Sequence, residues 1–350
     1  MSLLLVTTRF SVVIIAYKRK EFLIKAVNSV LNQNYPKELI EIIVVKSFKD
    51  DVIDRTLSEK LIKSIYTESK SIGKKFSLGF QDSSGDIICM LEDDDAFSEL
   101  KLKTIAEVYE ADKQIDVFLN GYDIVDTEGK VIDVNFYKQN REFQSKQPLI
   151  KIDSRNYNPD LFQSLNLYFN NSRFSFTKSV SQSLIPILNL IERGVDVLMP
   201  NIWIGMNLNI AFIPGIKNKF MMRNFKPRKE RLMNTQSSNA LENEIERSQL
   251  LLGDYISLIK YFHETNIQLA NFIELEFKMR EIMIDVLSLS KRKLLHDLKE
   301  FYKTSIYRKG KKYKVFLRRT YISYLKVSLL SPFFIFDPEI TRRIIIRLML

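Results

Sequence analysis

The chain of 350 residues has few residues of the kinds that form disulfides, thiolate sites or histidine sites. It contains one cysteine, Cys89, and two histidines, His263 and His296. A single thiol excludes internal disulfides and a thiolate zinc cage. Because no histidine lies in the first 250 residues, a Ser-His-Asp triad is not expected there. Asp and Glu must therefore carry any acid–base or metal chemistry.

Long apolar runs are also missing. A membrane-spanning helix needs about 20 apolar residues, whereas the longest run, residues 327–336, contains Pro332 and two serines. Residues 3–6 form too short an apolar stretch for a secretory signal, and Arg9 follows that stretch instead of preceding it. The sequence therefore predicts a cytoplasmic protein that does not cross a membrane.

Positive charge is concentrated near the C-terminal end. The formal net charge is +11, and residues 301–350 hold 12 Lys and Arg against Asp337 and Glu339. Interleaved Phe, Tyr, Leu and Ile make this tail typical of an amphipathic helix at an anionic membrane surface, which would place the protein peripherally on the cytoplasmic membrane face. A helical subdomain that packs its apolar face on the protein explains the pattern equally well. Nucleic-acid binding is disfavoured because no binding motif accompanies the charge.

Strand and helix patterns alternate through the first third of the chain. Strands are predicted at residues 10–16, 39–45, 64–67 and 86–91, and helices at 21–33, 51–62 and 73–82. This alternation predicts an α/β fold with a parallel, right-handed sheet. Further patterns predict a helix at 98–110, a hairpin of 117–120 with 131–134, a loop-rich segment at 138–160, a helix at 181–193 and long helices from about residue 239.

Four consecutive acids, Glu92, Asp93, Asp94 and Asp95, follow the last of these strands. Ligands of parallel α/β sheets bind at the carboxyl ends of the strands. Mg²⁺ and Mn²⁺ prefer carboxylate oxygens and stabilise charge on a leaving diphosphate. The alternative interpretation is a solvated cap, in which Asp95 and Glu99 interact with the dipole of the next helix.

Three segments together resemble the family 2 glycosyltransferases of GT-A fold. They read SVVIIAYKRKEFLIKAVNSVLNQNYP, EIIVV and SIGKKFSLGFQDSSGDIICMLEDDDAF, and their order and spacing match over about residues 10–125. The resemblance implies a GT-A-like, mostly parallel sheet flanked by helices, with a basic helical C-terminal extension. Residues 1–135 would then be the donor-binding half of the domain, 136–235 the acceptor-binding half, and 236–350 the helical basic region.

The resemblance also implies an activity and partners. The expected reaction is the inverting transfer of a hexosyl unit from a nucleoside-diphosphate sugar to an acceptor hydroxyl, assisted by Mg²⁺ or Mn²⁺. The acceptor would be lipid-linked or a polysaccharide or other glycan. Two rivals remain: a sugar-nucleotide nucleotidyltransferase, which usually has a Gly-rich loop that AYKRKEF lacks, and a non-catalytic membrane- or nucleic-acid-binding protein, against which the intact acids argue.

Residue roles follow from the same resemblance. Tyr17 matches the position that packs on the nucleobase, although an interface-packing aromatic is an alternative. Glu92 and Asp94 match the DXD positions, with Asp94 as the principal metal ligand and Asp95 beside it. The remaining candidates for contacts to the donor are Ala16, Arg19, Lys46, Lys74 and Asp93.

The chain departs from the family pattern at two places. KSFK at residues 46–49 replaces a segment in which an acid commonly contacts the base, and KFS at residues 75–77 replaces Ala-Arg-Asn. Lys46 is therefore either a phosphate contact or a surface charge. Lys74 and Lys75 either supply positive charge to the site or lie on a solvated helix face.

Asp196 is the candidate general base. It follows a helix predicted to stop at Gly194, and the family places an Asp in this region, often after a Glu that is Val195 here. Val195 and Val197 would partly desolvate the carboxylate. The alternative is that Asp196 caps the following segment, in which case Glu192 and Asp160 are the next candidates.

Overall fold

A computed structural model describes residues 7–17, 19–126, 128–132, 148–154, 165, 170–221, 238–288 and 296. The chain divides into two compact units. Unit 1 comprises Met1–Asn156 and Asp160–Arg223, and unit 2 comprises Tyr157–Pro159 and Asn224–Leu350. The predicted boundaries at 135/136 and 235/236 fall outside the described residues, so the three-part division stays a prediction.

Four parallel strands form the first half of the unit 1 sheet, in the order β3-β2-β1-β4. They are β1 Phe10–Ala16, β2 Ile40–Lys46, β3 Lys63–Tyr66 and β4 Ile87–Glu92. Helices α1 Lys20–Leu31, α2 Asp51–Glu59 and α3 Ile72–Gln81 connect them, as the alternating pattern predicts. All seven residues of β1 are buried, because helices cover both faces of a parallel sheet.

The register brings the carboxyl ends of these strands together. Ala16 of β1 lies opposite Lys46 of β2, and Ile15 lies opposite Glu92 of β4. Cys89, the single cysteine, lies wholly buried inside β4. The end of β4 is therefore an edge where the β1–α1 turn and the acidic residues meet.

The second half of the sheet is mixed. Its strands are β5 Asp95–Ala96, β6 Val117–Val125, β7 Ile150–Asp153, β8 Phe174–Thr177 and β9 Asn209–Met221, and its helices are α4 Lys101–Ala111, α5 Lys178–Leu188 and α6 Val195–Gly205. Strand β8 lies antiparallel between β4 and β6, whereas β6 and β9 are parallel. The predicted α/β fold is confirmed, but the parallel arrangement is confined to β1–β4 and the β6–β9 pair.

Three local predictions differ from the structure. Strand β6 continues to Val125, and within the described residues the predicted hairpin amounts to a bridge of Val125 with Val131. Strand β7 lies in the segment predicted to be loop-rich, because β9 supplies its hydrogen-bonding partner. Helix α5 ends at Leu188 instead of continuing to residue 193, because the chain turns there with backbone bonds such as Leu190 N–H to the Ile187 carbonyl (3.0 Å).

Aromatic side chains fill the core beneath the second half of the sheet. Trp203 of α6, the single tryptophan, is fully buried, and its ring packs edge-on against Phe174 at 4.8 Å between centroids. Phe176 lies 5.9 Å from the same indole. The fluorescence of Trp203 will therefore report the unfolding of unit 1.

Unit 2 is described over two helices, α7 Ser238–Thr265 and α8 Ile267–Leu287, as the sequence predicts. Asn266 separates them, and its side chain accepts a hydrogen bond from Leu269 N–H (3.1 Å) at the start of α8. Arg280 of α8 packs on the buried ring of Tyr255 of α7 at 5.6 Å. The predicted basic helical tail, residues 301–350, lies outside the described residues. Among the helices of the described ranges, none is both long and apolar enough to cross a membrane.

Candidate active site

Three of the four acids form a cluster of oxygens. One carboxylate oxygen each of Glu92, Asp94 and Asp95 lies within 4.8 Å of the others. Burial, together with the charges of Asp95 and Asp94, raises the pKa of Glu92 well above its ordinary value. Such a cluster is stabilised by a cation, and an all-oxygen donor set fits Mg²⁺ or Mn²⁺. The residues therefore suit the ion that the sequence implies.

Asp93 has a different role from its neighbours, because its side chain points back into the fold. Its Oδ2 accepts a hydrogen bond from Tyr17 N–H (3.0 Å), and its own N–H donates to the Ile15 carbonyl (3.1 Å). Arg19 lies 2.6 Å from Oδ1. Burial raises the pKa of Asp93 to about 7, although the charge of Arg19 opposes this shift. Asp93 thus fixes the turn between β1 and α1.

Arg19 joins this turn to the cluster. Its guanidinium pairs with Asp93 and, through a second nitrogen, with Asp94. Its side chain is 39% exposed, so it lies at the boundary of the fold and solvent. A cation or a phosphate that enters here meets a preformed pair of opposite charges.

A turn from the second half of the sheet forms the other wall of the cluster. The Asn171 carboxamide donates to Glu92 Oε1 (3.0 Å), and Asn170 donates to Asp95 Oδ2 (2.8 Å). The Ser172 hydroxyl also donates to Asp95 and accepts from Glu92 N–H (3.0 Å). Sequence reasoning missed this turn, because the polar run NNS after residue 169 has no periodic pattern and lies about 80 positions from the acids.

Two buried polar side chains hold the turn of residues 170–172 through its backbone. Lys101 of α4 is fully buried, and its ammonium donates to the Ser172 carbonyl (2.8 Å) and lies 3.7 Å from the centroid of the Phe97 ring. Asn218 of β9 donates to the same carbonyl. Lys101 could not be recognised as a site residue from its sequence position, since lysine is rarely buried.

Tyr17 lies directly after β1, and the lysine beside it is Lys75, not Lys74. Lys75 is buried, with its ammonium 4.8 Å from the centroid of the Tyr17 ring. Burial, aided by the charge of Arg193, lowers the pKa of Lys75 to about 8. Lys74 is exposed on the outer face of α3. Of the two lysines, Lys75 is the one that faces Tyr17.

Lys46, the last residue of β2, makes its contacts within the fold. Lys46 is buried, and its ammonium lies 2.7 Å from Asp54 and donates to the Phe48 carbonyl (2.9 Å). The description of Lys46 as a surface charge is therefore wrong, because the side chain ties β2 to α2. The Ala16 carbonyl accepts from Ser47 N–H (3.1 Å) and holds the two strand ends together.

Asp196 lies in the first turn of α6, half-buried. Its charge contributes to raising the pKa of Glu92, which places it near the cluster. Gly194 occupies the N-cap position of α6, and as a glycine it has no side chain to cap the helix. Asp196 lies two residues further on, inside the helix. Glu192 is exposed and uses its carbonyl to accept from Ile72 N–H (2.8 Å), and Asp160 lies outside the described residues.

Comparisons with known proteins agree with this geometry. Residues 11–170 match the family described as Glycosyl transferase family 2. Over 132 residues the chain is 33% identical to an uncharacterized glycosyltransferase of Nostoc sp., a match that covers 36% of this chain and 40% of that protein. The aligned part is thus less than half the length of this relative.

Solved structures show the same fold. The S. aureus TarS fragment 1–349 in complex with UDP-GlcNAc superposes with a TM-score of 0.57 at 14% identity, over 97% of this chain and 90% of that one. The same fragment with UDP gives 0.51 at 17% identity, over 85% and 88% of the two chains. At these identities the likeness establishes the GT-A fold alone.

Proposed function

We propose that this chain, whose residues 11–170 match glycosyl transferase family 2, transfers a hexosyl unit, with inversion, from a nucleoside-diphosphate sugar to an acceptor hydroxyl. The observation that carries the proposal is the convergence of Glu92, Asp94 and Asp95 within 4.8 Å at the carboxyl end of β4. Ligands of such sheets bind at this edge. The family match also disfavours the nucleotidyltransferase alternative.

In this proposal Glu92, Asp94 and Asp95 hold Mg²⁺ or Mn²⁺, with Asp94 as the principal ligand. When bound, such a cation neutralises charge that develops on the leaving diphosphate. Arg19 pairs with Asp94, so its guanidinium lies beside the proposed cation site. The negative oxygens of a diphosphate bound at that site would come close to the same guanidinium. We assign Arg19 to the diphosphate and leave Asp93 with its role in the turn.

The nucleobase is assigned to Tyr17, whose ring lies at the end of β1. Lys75, 4.8 Å from that ring, adds a buried positive charge beside the base or the phosphate next to it. The TarS fragment was crystallised with UDP-GlcNAc and with UDP. UDP-sugars are therefore the donor class to test first.

Asp196 is assigned as the general base. Inverting transfer needs a carboxylate to take the proton of the acceptor hydroxyl while that oxygen attacks the anomeric carbon. The charge of Asp196 is among those that raise the pKa of Glu92, which supports a position of Asp196 near the acidic cluster. For the acceptor we propose a lipid-linked molecule or a glycan, reached through contact of residues 301–350 with an anionic membrane.

A donor-binding experiment tests the proposal. We expect UDP-sugars to raise the melting temperature in the presence of Mn²⁺, in a panel that also contains GDP- and dTDP-sugars. The matched control is Asp94→Ala, which should fold, because it relieves repulsion among the acids, and should lose the Mn²⁺-dependent shift. If no nucleotide sugar in the panel shifts the wild type, the donor assignment fails.

A further inference from the structure

The Asn171 carboxamide is satisfied at one end only. The side chain is 2% exposed, and its Nδ2 donates to Glu92 Oε1 at 3.0 Å. Its Oδ1 has no hydrogen-bond partner among the described residues. A buried acceptor without a partner is costly, and native proteins rarely leave one without a reason. This orphaned oxygen belongs to an amide that lies against the acidic cluster.

The backbone that presents Asn171 is held in an uncommon conformation. Asn170 has φ +64° and ψ +117°, a region that residues other than glycine rarely adopt. Its side chain stabilises the turn by accepting from Ser172 N–H (2.7 Å) and donating to Asp95 (2.8 Å). Strain of this kind persists where the surrounding contacts over-determine it, as they do here. The position of the Asn171 amide is therefore fixed by the fold.

The chemistry of the two amide ends differs in a way that suits a cation. The N–H end compensates the charge of the Glu92 carboxylate, while the oxygen is a neutral, hard donor. Mg²⁺, Mn²⁺ and Ca²⁺ accept amide oxygens together with carboxylates in oxygen-only sites. An ion bound by the acids would give Oδ1 the partner that it lacks.

We propose that Asn171 Oδ1 is a fourth protein ligand of the cation held by Glu92, Asp94 and Asp95. The proposal rests on the function proposed above. It assigns two tasks to one side chain, since the same amide orients Glu92 through Nδ2 and contributes an oxygen through Oδ1. Lys101 and Asn218 hold the same 170–172 turn, because both donate to the Ser172 carbonyl.

The test is direct Mn²⁺ binding to the free protein, without nucleotide, measured by electron paramagnetic resonance of unbound Mn²⁺. Asn171→Ala removes both amide ends and should weaken binding by about 10-fold or more, the usual cost of removing a group around a metal. Asn171→Asp loses the donor but keeps an oxygen, so it should bind Mn²⁺ close to the wild-type affinity. The matched control is Asn120→Ala, because Asn120 is equally buried and also has an orphaned Oδ1, but its Nδ2 donates to the Gly121 carbonyl (2.7 Å). This control should bind Mn²⁺ like the wild type.

The outcomes separate the role of Asn171 from the function on which it rests. Wild-type affinity in Asn171→Ala would overturn the assignment and leave the three-acid site intact. If Asn171→Asp binds as weakly as Asn171→Ala, the residue only donates to Glu92, and its role as a ligand is refuted. A wild type that binds no Mn²⁺ would remove the cation from the proposed function, and the role of Asn171 with it. Trp203 fluorescence checks that each variant is folded.

Discussion

Lys101 has a positive charge where the fold provides little solvent to stabilise it. Burial lowers the pKa of Lys101 to about 7, from 10.5 for an ordinary lysine. Below pH 7 the side chain is charged in both states, and the cost of burying the ammonium is fully present. Between pH 7 and pH 10.5 the unfolded chain binds more protons than the folded one. The free energy of unfolding contributed by this residue therefore rises with pH across that window.

Lys101→Met removes the titrating group and keeps a long side chain. We expect the wild type to gain about 1–3 kcal/mol of unfolding free energy relative to this variant between pH 7 and pH 9. Urea denaturation at both pH values, followed by Trp203 fluorescence, measures the difference. A wild-type-minus-variant difference that is the same at both pH values would contradict the expected charge penalty.

Asp196→Asn tests the proposed general base. Asparagine has nearly the same shape but cannot accept the proton, so turnover should fall by about 10²–10⁴. Donor affinity and the melting temperature should stay near the wild-type values, because the side chain remains polar and half-buried. Initial rates and thermal shifts with the donor separate these quantities. Wild-type turnover would make Asp196 structural and direct attention to Glu192 and Asp160.

At the scale of elements, the start of α3 is held by hydrogen bonds to backbone carbonyls of the segment after α5. The Ser71 hydroxyl donates to the Ile191 carbonyl (2.7 Å), and Ile72 N–H donates to the Glu192 carbonyl (2.8 Å). A Cβ on Gly73 would lie 2.2 Å from the Leu188 carbonyl oxygen. Glycine at this position therefore permits the close approach of α3, the helix that also carries Lys75.

Gly73→Ala should therefore lower the free energy of unfolding of unit 1 by about 1–3 kcal/mol, because backbone atoms must move to admit the methyl group. Gly215→Ala is the matched control, since a Cβ there meets nothing within 4 Å. We expect the control to change stability by less than about 0.5 kcal/mol. Urea denaturation of the three proteins provides the comparison. Equal stability of Gly73→Ala and the wild type would show that α3 can shift freely.

Periodicity predicts the elements whose burial depends on their own sequence. Strands β1–β4 and helices α1–α3 are identified within a few residues, since buried parallel strands are continuous apolar runs and their helices have an apolar stripe. Strand β7 and the full length of β6 are missed, because their strand character comes from pairing with β9. Pairing between distant segments leaves little trace in a local pattern.

The same limit applies to the candidate site. Glu92, Asp94 and Asp95 can be located because they follow a strand in a row, and Tyr17 because it follows another. The sequence names Lys74 and Lys75 together, and only the contact with Tyr17 distinguishes Lys75. The Asn170–Ser172 turn and Lys101 act through contacts with residues far away in the sequence. A buried lysine also contradicts the ordinary expectation for its type. Polar side chains of this kind become recognisable only when the fold supplies their partners.

At the scale of the whole molecule, the positive charge is concentrated in residues 301–350, away from the candidate active-site residues in the sequence. Residues 301–350 hold 12 of the 53 basic residues and two of the 42 acids. Each basic residue near an anionic surface contributes about 1 kcal/mol of attraction. The proposed contact of this tail with a membrane follows from that surplus.

Removing residues 301–350 should reduce co-sedimentation with vesicles that contain anionic lipid, and added salt should reduce co-sedimentation of the full chain. Vesicles of zwitterionic lipid are the control and should sediment little of either protein. A second variant with Arg342, Arg343 and Arg347 changed to Gln keeps the full length and should lose part of the binding. Equal sedimentation of all three proteins would refute the membrane contact.

The burial of Cys89 has a practical consequence. The thiol lies in the middle of β4, three residues before Glu92, and burial raises its pKa, so the folded chain hides the one group that a disulfide reagent can attack. Modification of the thiol then requires β4 to open, and the modification rate depends on how often this opening occurs. A ligand that binds only the closed protein slows the reaction by a factor of 1 + [L]/Kd. The modification rate of Cys89 is therefore a probe of binding that is already present in the chain. A lower rate in the presence of Mn²⁺ or a nucleotide sugar would measure occupancy of the site without an added label.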